Sequence, residues 1–184
     1  IWVTKPAKSV RKEGYSKEWF IFVEIAISQR MTTLKKGDQA PAFKGINQNG
    51  DEISSGSFAG KKIILYFYPK DNTPGCTAEA CNLNDNYSEW IARGFEIVGV
   101  SPDSVRSHQG FIQKYGLKFN LISDPDHRIM ELYGVWGEKK LYGKSYMGVL
   151  RTTFLIDEKG IISEVITRVD TKNHSMQIEK LLNI

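Results

Sequence analysis

The sequence predicts an α/β domain with a central mixed β-sheet flanked by helices and an N-terminal β-hairpin. Three observations carry that expectation. Short apolar runs alternate with stretches of helical periodicity over residues 63–133. The runs 63–68 and 95–100 show little polar alternation, as strands covered on both faces do. After residue 150 the order changes to two strands around Asp157-Glu158-Lys159-Gly160, which adds antiparallel strands to a parallel set.

The elements follow in order. Asn47-Gln48-Asn49-Gly50-Asp51 contains a hairpin signal between extended segments 40–46 and 52–54. Residues 57–60 form a short connection to strand 63–68, which Pro69 stops. Thr73-Pro74-Gly75 reads as a helix start, with Thr73 as N-cap and Pro74 at the first helical position. Leu83, Tyr87, Trp90 and Ile91 recur at helical spacing, and Gly94 closes a helix from Cys76 to Arg93. Strand 95–100, helix 102–115 closed by Gly116, strand 119–122 and helix 124–133 followed by Gly134 come next. Strands 152–156 and 161–167 and a last helix 173–182 complete the domain.

The chain has 184 residues, 41% hydrophobic and 25% charged, which is ordinary globular usage. No apolar run approaches the roughly 20 residues that span a bilayer, so no membrane partner is expected. The net charge of +4 is concentrated in residues 1–30, which hold six Lys/Arg and three Glu. The remaining residues have no basic cluster, and no nucleic-acid partner is expected. Met31-Thr32-Thr33-Leu34 reads like a natural start. Residues 1–30 are therefore expected to be an N-terminal extension of upstream origin, with residues 31–184 as the domain. The alternative for the extension is a targeting presequence. Two cysteines are too few for a secreted disulfide framework.

Cys76 falls in the first turn of a helix, directly after a strand. A thiol there faces the positive end of the helix dipole and unpaired backbone N–H groups, which favour the nucleophilic thiolate. Cys81 lies five residues on. In an α-helix this means about 7.5 Å of rise and 140° of rotation, so the Cα atoms are roughly 8.6 Å apart. A disulfide needs less than about 7 Å. The two either never pair, or pair only when the first helical turns unwind. The C-x4-C spacing differs from the C-x-x-C of a thioredoxin-type redox pair. A zinc site needs about four ligands, and His108, His127 and His174 show no ligand spacing; each is expected to be an exposed helix residue. Candidate cations for the thiolate are Lys70 and Arg151, the latter immediately before strand 152–156.

Pro69-x-x-x-Thr73-x-x-Cys76 resembles the active-site motif of the peroxiredoxins. Residues 68–77, with the second cysteine five on, are similar to the peroxiredoxin Q or bacterioferritin comigratory protein subfamily. Further matching segments are 37–43, 123–126, 133–139 and 151–157, so the resemblance runs through nearly all of residues 31–184. It implies a thioredoxin-like fold and thiol peroxidase activity on hydrogen peroxide and organic hydroperoxides, without metal, haem or flavin cofactor. It implies Cys76 as the peroxidatic nucleophile, Cys81 as the resolving cysteine, and a Cys76–Cys81 disulfide. Thr73 would hydrogen-bond the thiolate or peroxide, Pro69 would shield the site from water, and Arg151 would stabilise the thiolate and polarise the peroxide. The Gly75 and Cys76 backbone N–H groups would bind substrate. Thioredoxin or a similar dithiol is the implied reductant, and a cytoplasmic monomer the expected form. The competing readings are a general disulfide oxidoreductase, a metal-delivery module and a chaperone-like holdase.

Overall fold

The computed structural model describes residues 32–141 and 144–184, so the expected extension 1–30 lies outside the described residues. The domain is built on a seven-stranded mixed sheet. Its strands are β1 (Lys44–Asn47), β2 (Glu52–Ser54), β3 (Lys62–Phe67), β4 (Phe95–Ser101), β5 (Asn120–Ser123), β8 (Thr152–Ile156) and β9 (Ile162–Ile166). They lie in the order β2-β1-β5-β4-β3-β8-β9. Strands β3, β4 and β5 are parallel, while β8 runs antiparallel beside β3 and β1 antiparallel beside β5. The N-terminal hairpin pairs β1 with β2. A separate two-stranded ribbon joins β6 (Trp136–Leu141) to β7 (Lys144–Val149).

Alternation along β3 divides the core between the two faces of the sheet. Ile63, Leu65 and Phe67 enter one apolar cluster with Phe43, Ile129, Met130, Tyr133, Val135 and Phe154. Ile64, Tyr66 and Tyr68 enter the other, with Cys76, Ala80, Leu83, Trp90, Phe111 and Ile178. Cys76 thus belongs to the core of the helix-covered face. Gly99 sits opposite Tyr66 in the parallel register of β3 and β4. A Cβ there would lie 2.8 Å from the Tyr66 hydroxyl and 2.6 Å from Leu121 Cδ2, so only glycine leaves room for the Tyr66 ring.

Several expected boundaries are corrected. The helix expected over 76–93 is two helices, α1 (Pro74–Asp85) and α2 (Tyr87–Ala92). Asn86 breaks it with φ −99° and ψ 11°, and its side chain donates to the Asn82 carbonyl. Helix α3 (Val105–Tyr115) starts three residues later than expected, because the Ser104 hydroxyl caps it by accepting from Ser107 N–H. Helix α4 (Arg128–Leu132) starts four residues late. Asp124 folds back to accept Met130 N–H, and His127 takes a left-handed conformation. The β6–β7 ribbon was not legible in its Gly- and Lys-rich sequence. The last helix, α5 (His174–Leu182), agrees with expectation to within a residue. The histidines do not lie exposed: His108 and His174 are fully buried, and His127 is half-buried against Trp136 with ring centroids 3.6 Å apart.

Candidate active site

Strand β3 runs out at Phe67, and the Tyr68 amide makes a last hydrogen bond to Val100 O. Half-buried Pro69 follows, then a turn in which Asn72 has a left-handed φ of 58°. Asparagine tolerates that region better than most side chains. Thr73 takes the extended backbone of an N-cap, and Pro74 occupies the first helical position, as the sequence predicts. The Thr73 hydroxyl, however, does not cap the helix. It donates to the Lys70 carbonyl at 3.0 Å. Lys70 is exposed, and the site uses its carbonyl rather than its ammonium.

Cys76 lies in the first turn of α1 and is 1% exposed. Its own amide and that of Gly75 belong to the N–H groups that the helix leaves without carbonyl partners. The cation comes from far along the chain. Thr152 of β8 pairs with Phe67 at the end of β3, which puts Arg151 beside the turn. The Arg151 guanidinium donates through Nη2 to Cys76 Sγ at 3.1 Å. A Cβ on Gly75 would lie 3.7 Å from that same nitrogen. A guanidinium and a helix N-terminus converging on one buried sulfur stabilise its negative form. Cys81 lies on the same helix, partly buried, and both thiols are free. Burial and the nearby Asp85 push the Cys81 thiol up, so in folded α1 it stays protonated.

The structure adds a residue that sequence reading missed. Glu79 is fully buried, and one of its oxygens accepts from Arg151 Nη1. It stands three residues after Cys76 on the buried stripe of α1, with Ala80 and Leu83. A carboxylate within that apolar stripe was the available signal. Burial pushes Glu79 up to about 7, against the pull of Arg151. Beyond it His174 is held by two hydrogen bonds. Its Nδ1 faces Gln177 Oε1 at 3.1 Å, so it donates there, and its Nε2 accepts from the Thr153 hydroxyl at 2.9 Å. This is a neutral imidazole, and burial pushes it down to about 4.

These two groups act oppositely on stability. The folded state holds His174 below its ordinary 6.5, so its contribution is present above that pH and is lost as pH falls towards 4. Glu79 is raised from 4.5 to about 7, so its contribution is present at acid pH and is lost as pH rises through 7. In the wild type the two trends offset each other between pH 4.5 and 6.5. His174→Gln exposes the Glu79 trend alone. Its stability relative to wild type is expected to rise by up to about 3 kcal/mol as pH falls through that window. Urea unfolding at both ends checks this, and parallel wild-type and variant profiles would contradict it.

A second buried network fixes the turn. The Asp71 carboxylate accepts from Tyr68 OH at 2.8 Å and Ser107 Oγ at 2.7 Å, and meets His108 Nδ1 at 2.9 Å. The other ring nitrogen of His108 faces Ile122 O at 3.2 Å, so the buried ring bridges the turn to β5. Burial pushes Asp71 up, but His108, Ser107 and Tyr68 together hold it below the usual carboxylate range. Asp71 N–H donates to Asp103, which ties the turn to the loop before α3. Asp71→Asn breaks this buried hydrogen-bond network and is expected to cost about 1–3 kcal/mol in urea unfolding. Adding His108→Gln should recover part of that loss.

A buried thiol paired with arginine at a helix N-terminus, with a second thiol on the same helix, defines a cysteine-based redox enzyme. The AhpC/TSA family model matches residues 36–165. The chain is 47% identical over 148 residues to a putative peroxiredoxin bcp of Haemophilus influenzae, covering 80% of this chain and 96% of that one. It is 44% identical over 144 residues to peroxiredoxin Bcp of Escherichia coli, covering 78% and 92%. Among solved structures, Xanthomonas campestris peroxiredoxin Q superposes with a TM-score of 0.72 at 35% identity, over 77% of this chain and 90% of that one. A cysteine-to-serine mutant of Xylella fastidiosa PrxQ superposes with 0.77 at 29% identity, over 83% and 98%. The chain belongs to the AhpC/TSA family and, within it, to the peroxiredoxin Q or bacterioferritin comigratory protein subfamily. It is a thiol peroxidase with a thioredoxin-like fold.

Proposed function

We propose that Cys76 is the peroxidatic cysteine and that Cys81 resolves it within the same chain. The contact that carries this reading is Arg151 Nη2 on the buried Cys76 sulfur. The Cys76 thiolate attacks the terminal peroxide oxygen; an S–O bond forms, the O–O bond breaks, and the leaving oxygen departs with the electron pair. Arg151 and the Gly75 and Cys76 amides are aimed where that negative charge develops. Pro69 restricts water at the mouth. Thr73 donates to the substrate once its hydroxyl turns from the Lys70 carbonyl. A Xanthomonas campestris bacterioferritin comigratory protein is described as reducing alkyl peroxide, and organic hydroperoxides join hydrogen peroxide as the proposed substrates.

The Cys81 thiol then attacks the sulfenic acid, giving a Cys76–Cys81 disulfide and water. Both cysteines lie within α1, where ideal helical geometry keeps the Cα atoms roughly 8.6 Å apart. The bond therefore requires α1 to unwind locally. Unwinding at the Cys81 end must release Asn82, which accepts from Ser175 N–H at 2.8 Å, and Asn84, which accepts from Lys118 N–H at 2.9 Å. A dithiol such as thioredoxin restores both thiols by exchange. Resolution within one chain supports a monomer, and dependence on a thiol reductant supports the cytoplasm.

Cys81→Ser tests the assignment. The variant is expected to consume one equivalent of peroxide per chain at near wild-type rate, then to stop in the thioredoxin-coupled assay. Continued thioredoxin-dependent turnover at the wild-type rate would overturn the role of Cys81.

A further inference from the structure

The Arg151 guanidinium serves two acids at once, Cys76 through Nη2 and Glu79 through Nη1. We propose that Glu79 is protonated while Cys76 is a thiolate and ionises when Cys76 is oxidised, so that it supplies the proton the leaving oxygen needs. This rests on the peroxidatic reading of Cys76.

Five groups face the Glu79 carboxyl or its partner from four directions. Cys76 lies on its own helix, Arg151 before β8, Tyr66 on β3, and His174 on α5 with Thr153 beside it. Only Arg151 is positive. His174 is neutral by its hydrogen bonds, with Nδ1 donating to Gln177 and Nε2 accepting from Thr153. The Tyr66 hydroxyl is buried and neutral. Two anions on one partly buried guanidinium, one of them the fully buried Glu79 carboxylate, would leave an uncompensated charge away from water, which proteins avoid by protonating one of them. Cys76 has the helix N-terminus as a second source of stabilisation. Glu79 has none: its Oε1 is buried without a hydrogen-bond partner, and His174 Nε2 is 3.9 Å away. The proton therefore resides on Glu79, in keeping with a carboxyl that burial lifts to about 7 despite Arg151.

Oxidation changes that balance. Cys76 thiolate, peroxide and Glu79 carboxylic acid become Cys76 sulfenic acid, alcohol or water, and Glu79 carboxylate. Sulfur gives up two electrons, the O–O bond takes them, and the proton count closes without drawing on solvent. The sulfenic acid is neutral, so Arg151 is left to Glu79 alone. Reduction back to the thiolate reverses the step. Glu79 touches no substrate; Arg151 carries the proton, giving one up from Nη2 to the leaving oxygen as its Nη1 side takes up the one from Glu79, so Glu79 acts through Arg151 and the coupled titration belongs to the pair rather than to either acid.

Infrared difference spectroscopy tests the proposal in Cys81→Ser protein, which stops at the sulfenic acid. One equivalent of hydrogen peroxide at neutral pH should remove a protonated-carboxyl band. That band should shift with isotope-labelled glutamate, be missing when Glu79→Gln is added, and stay unchanged in Cys76→Ser. The isotope label makes the assignment independent of whether the Glu79 variant folds. Proton uptake in weak buffer gives a second readout. Fewer than one proton per thiolate oxidised is expected near neutral pH, rising to one at alkaline pH, with one throughout for Glu79→Gln. Oxidation of Cys76, verified by mass spectrometry, without loss of the glutamate band overturns the proposal and leaves the peroxidatic reading standing. Failure of peroxide to oxidise Cys76 overturns both.

Discussion

Cys76→Ser is expected to abolish peroxide turnover, with a fall on the order of 10⁴-fold or more in the rate of peroxide consumption. The reason is chemical rather than steric. Serine fits the same buried site, but its hydroxyl stays neutral even beside a guanidinium. An oxygen attacking a peroxide would also only replace one O–O bond by another. Cys81 cannot substitute, because burial and Asp85 keep it as the thiol and it lies farther along the helix. Stopped-flow consumption of hydrogen peroxide, with an unfolding curve to show that the variant is folded, measures the loss. Residual activity within tenfold of wild type would contradict the role of Cys76.

Arg151→Gln is expected to have the second-largest effect, lowering the rate constant for peroxide by about 10²–10³-fold. It removes the donor at 3.1 Å from the sulfur and the charge that would meet the leaving oxygen. It also strands Glu79, which is fully buried and has no other cation within bonding distance among the described residues. Glu79 answers by remaining protonated, so the folded state should survive with a stability loss below the about 3–5 kcal/mol of a stranded charge. Arg151→Lys keeps the charge but not the fork that reaches both acids, and is expected to recover only part of the rate. The catalytic loss should persist under conditions where wild type and variant are equally folded. A loss that follows the folded fraction would mean that Arg151 serves stability alone.

Much of this site is legible in the order of residues around Cys76. Strand, proline, polar turn and Pro-Gly place the cysteine in a first helical turn, and those features are local. Arg151 carries weaker local information. Its position before a strand is visible, but only the antiparallel pairing of β8 with β3 brings it to the sulfur. Glu79, His108 and His174 were out of reach for a related reason. A polar residue in a helix reads as solvated unless its partner is known, and each partner here comes from another element. Arg151 meets Glu79, Asp71 meets His108, and Thr153 meets His174. The break at Asn86 depends on one side chain taking a helical carbonyl, a choice that periodicity does not record. The β6–β7 ribbon pairs with itself outside the main sheet, so it lacks the apolar run of a core strand.

Folded α1 would hold Cys76 ready, and only its unwinding would permit the bond to Cys81. Peptide mapping by mass spectrometry after one equivalent of hydrogen peroxide, with amide hydrogen exchange recorded across residues 74–85, tests it most directly. A disulfide joining Cys76 and Cys81 of the same chain is expected, with a loss of exchange protection in α1 that appears with the bond. Peroxide consumption that leaves Cys81 a free thiol, or a disulfide formed with α1 still fully protected, would contradict it.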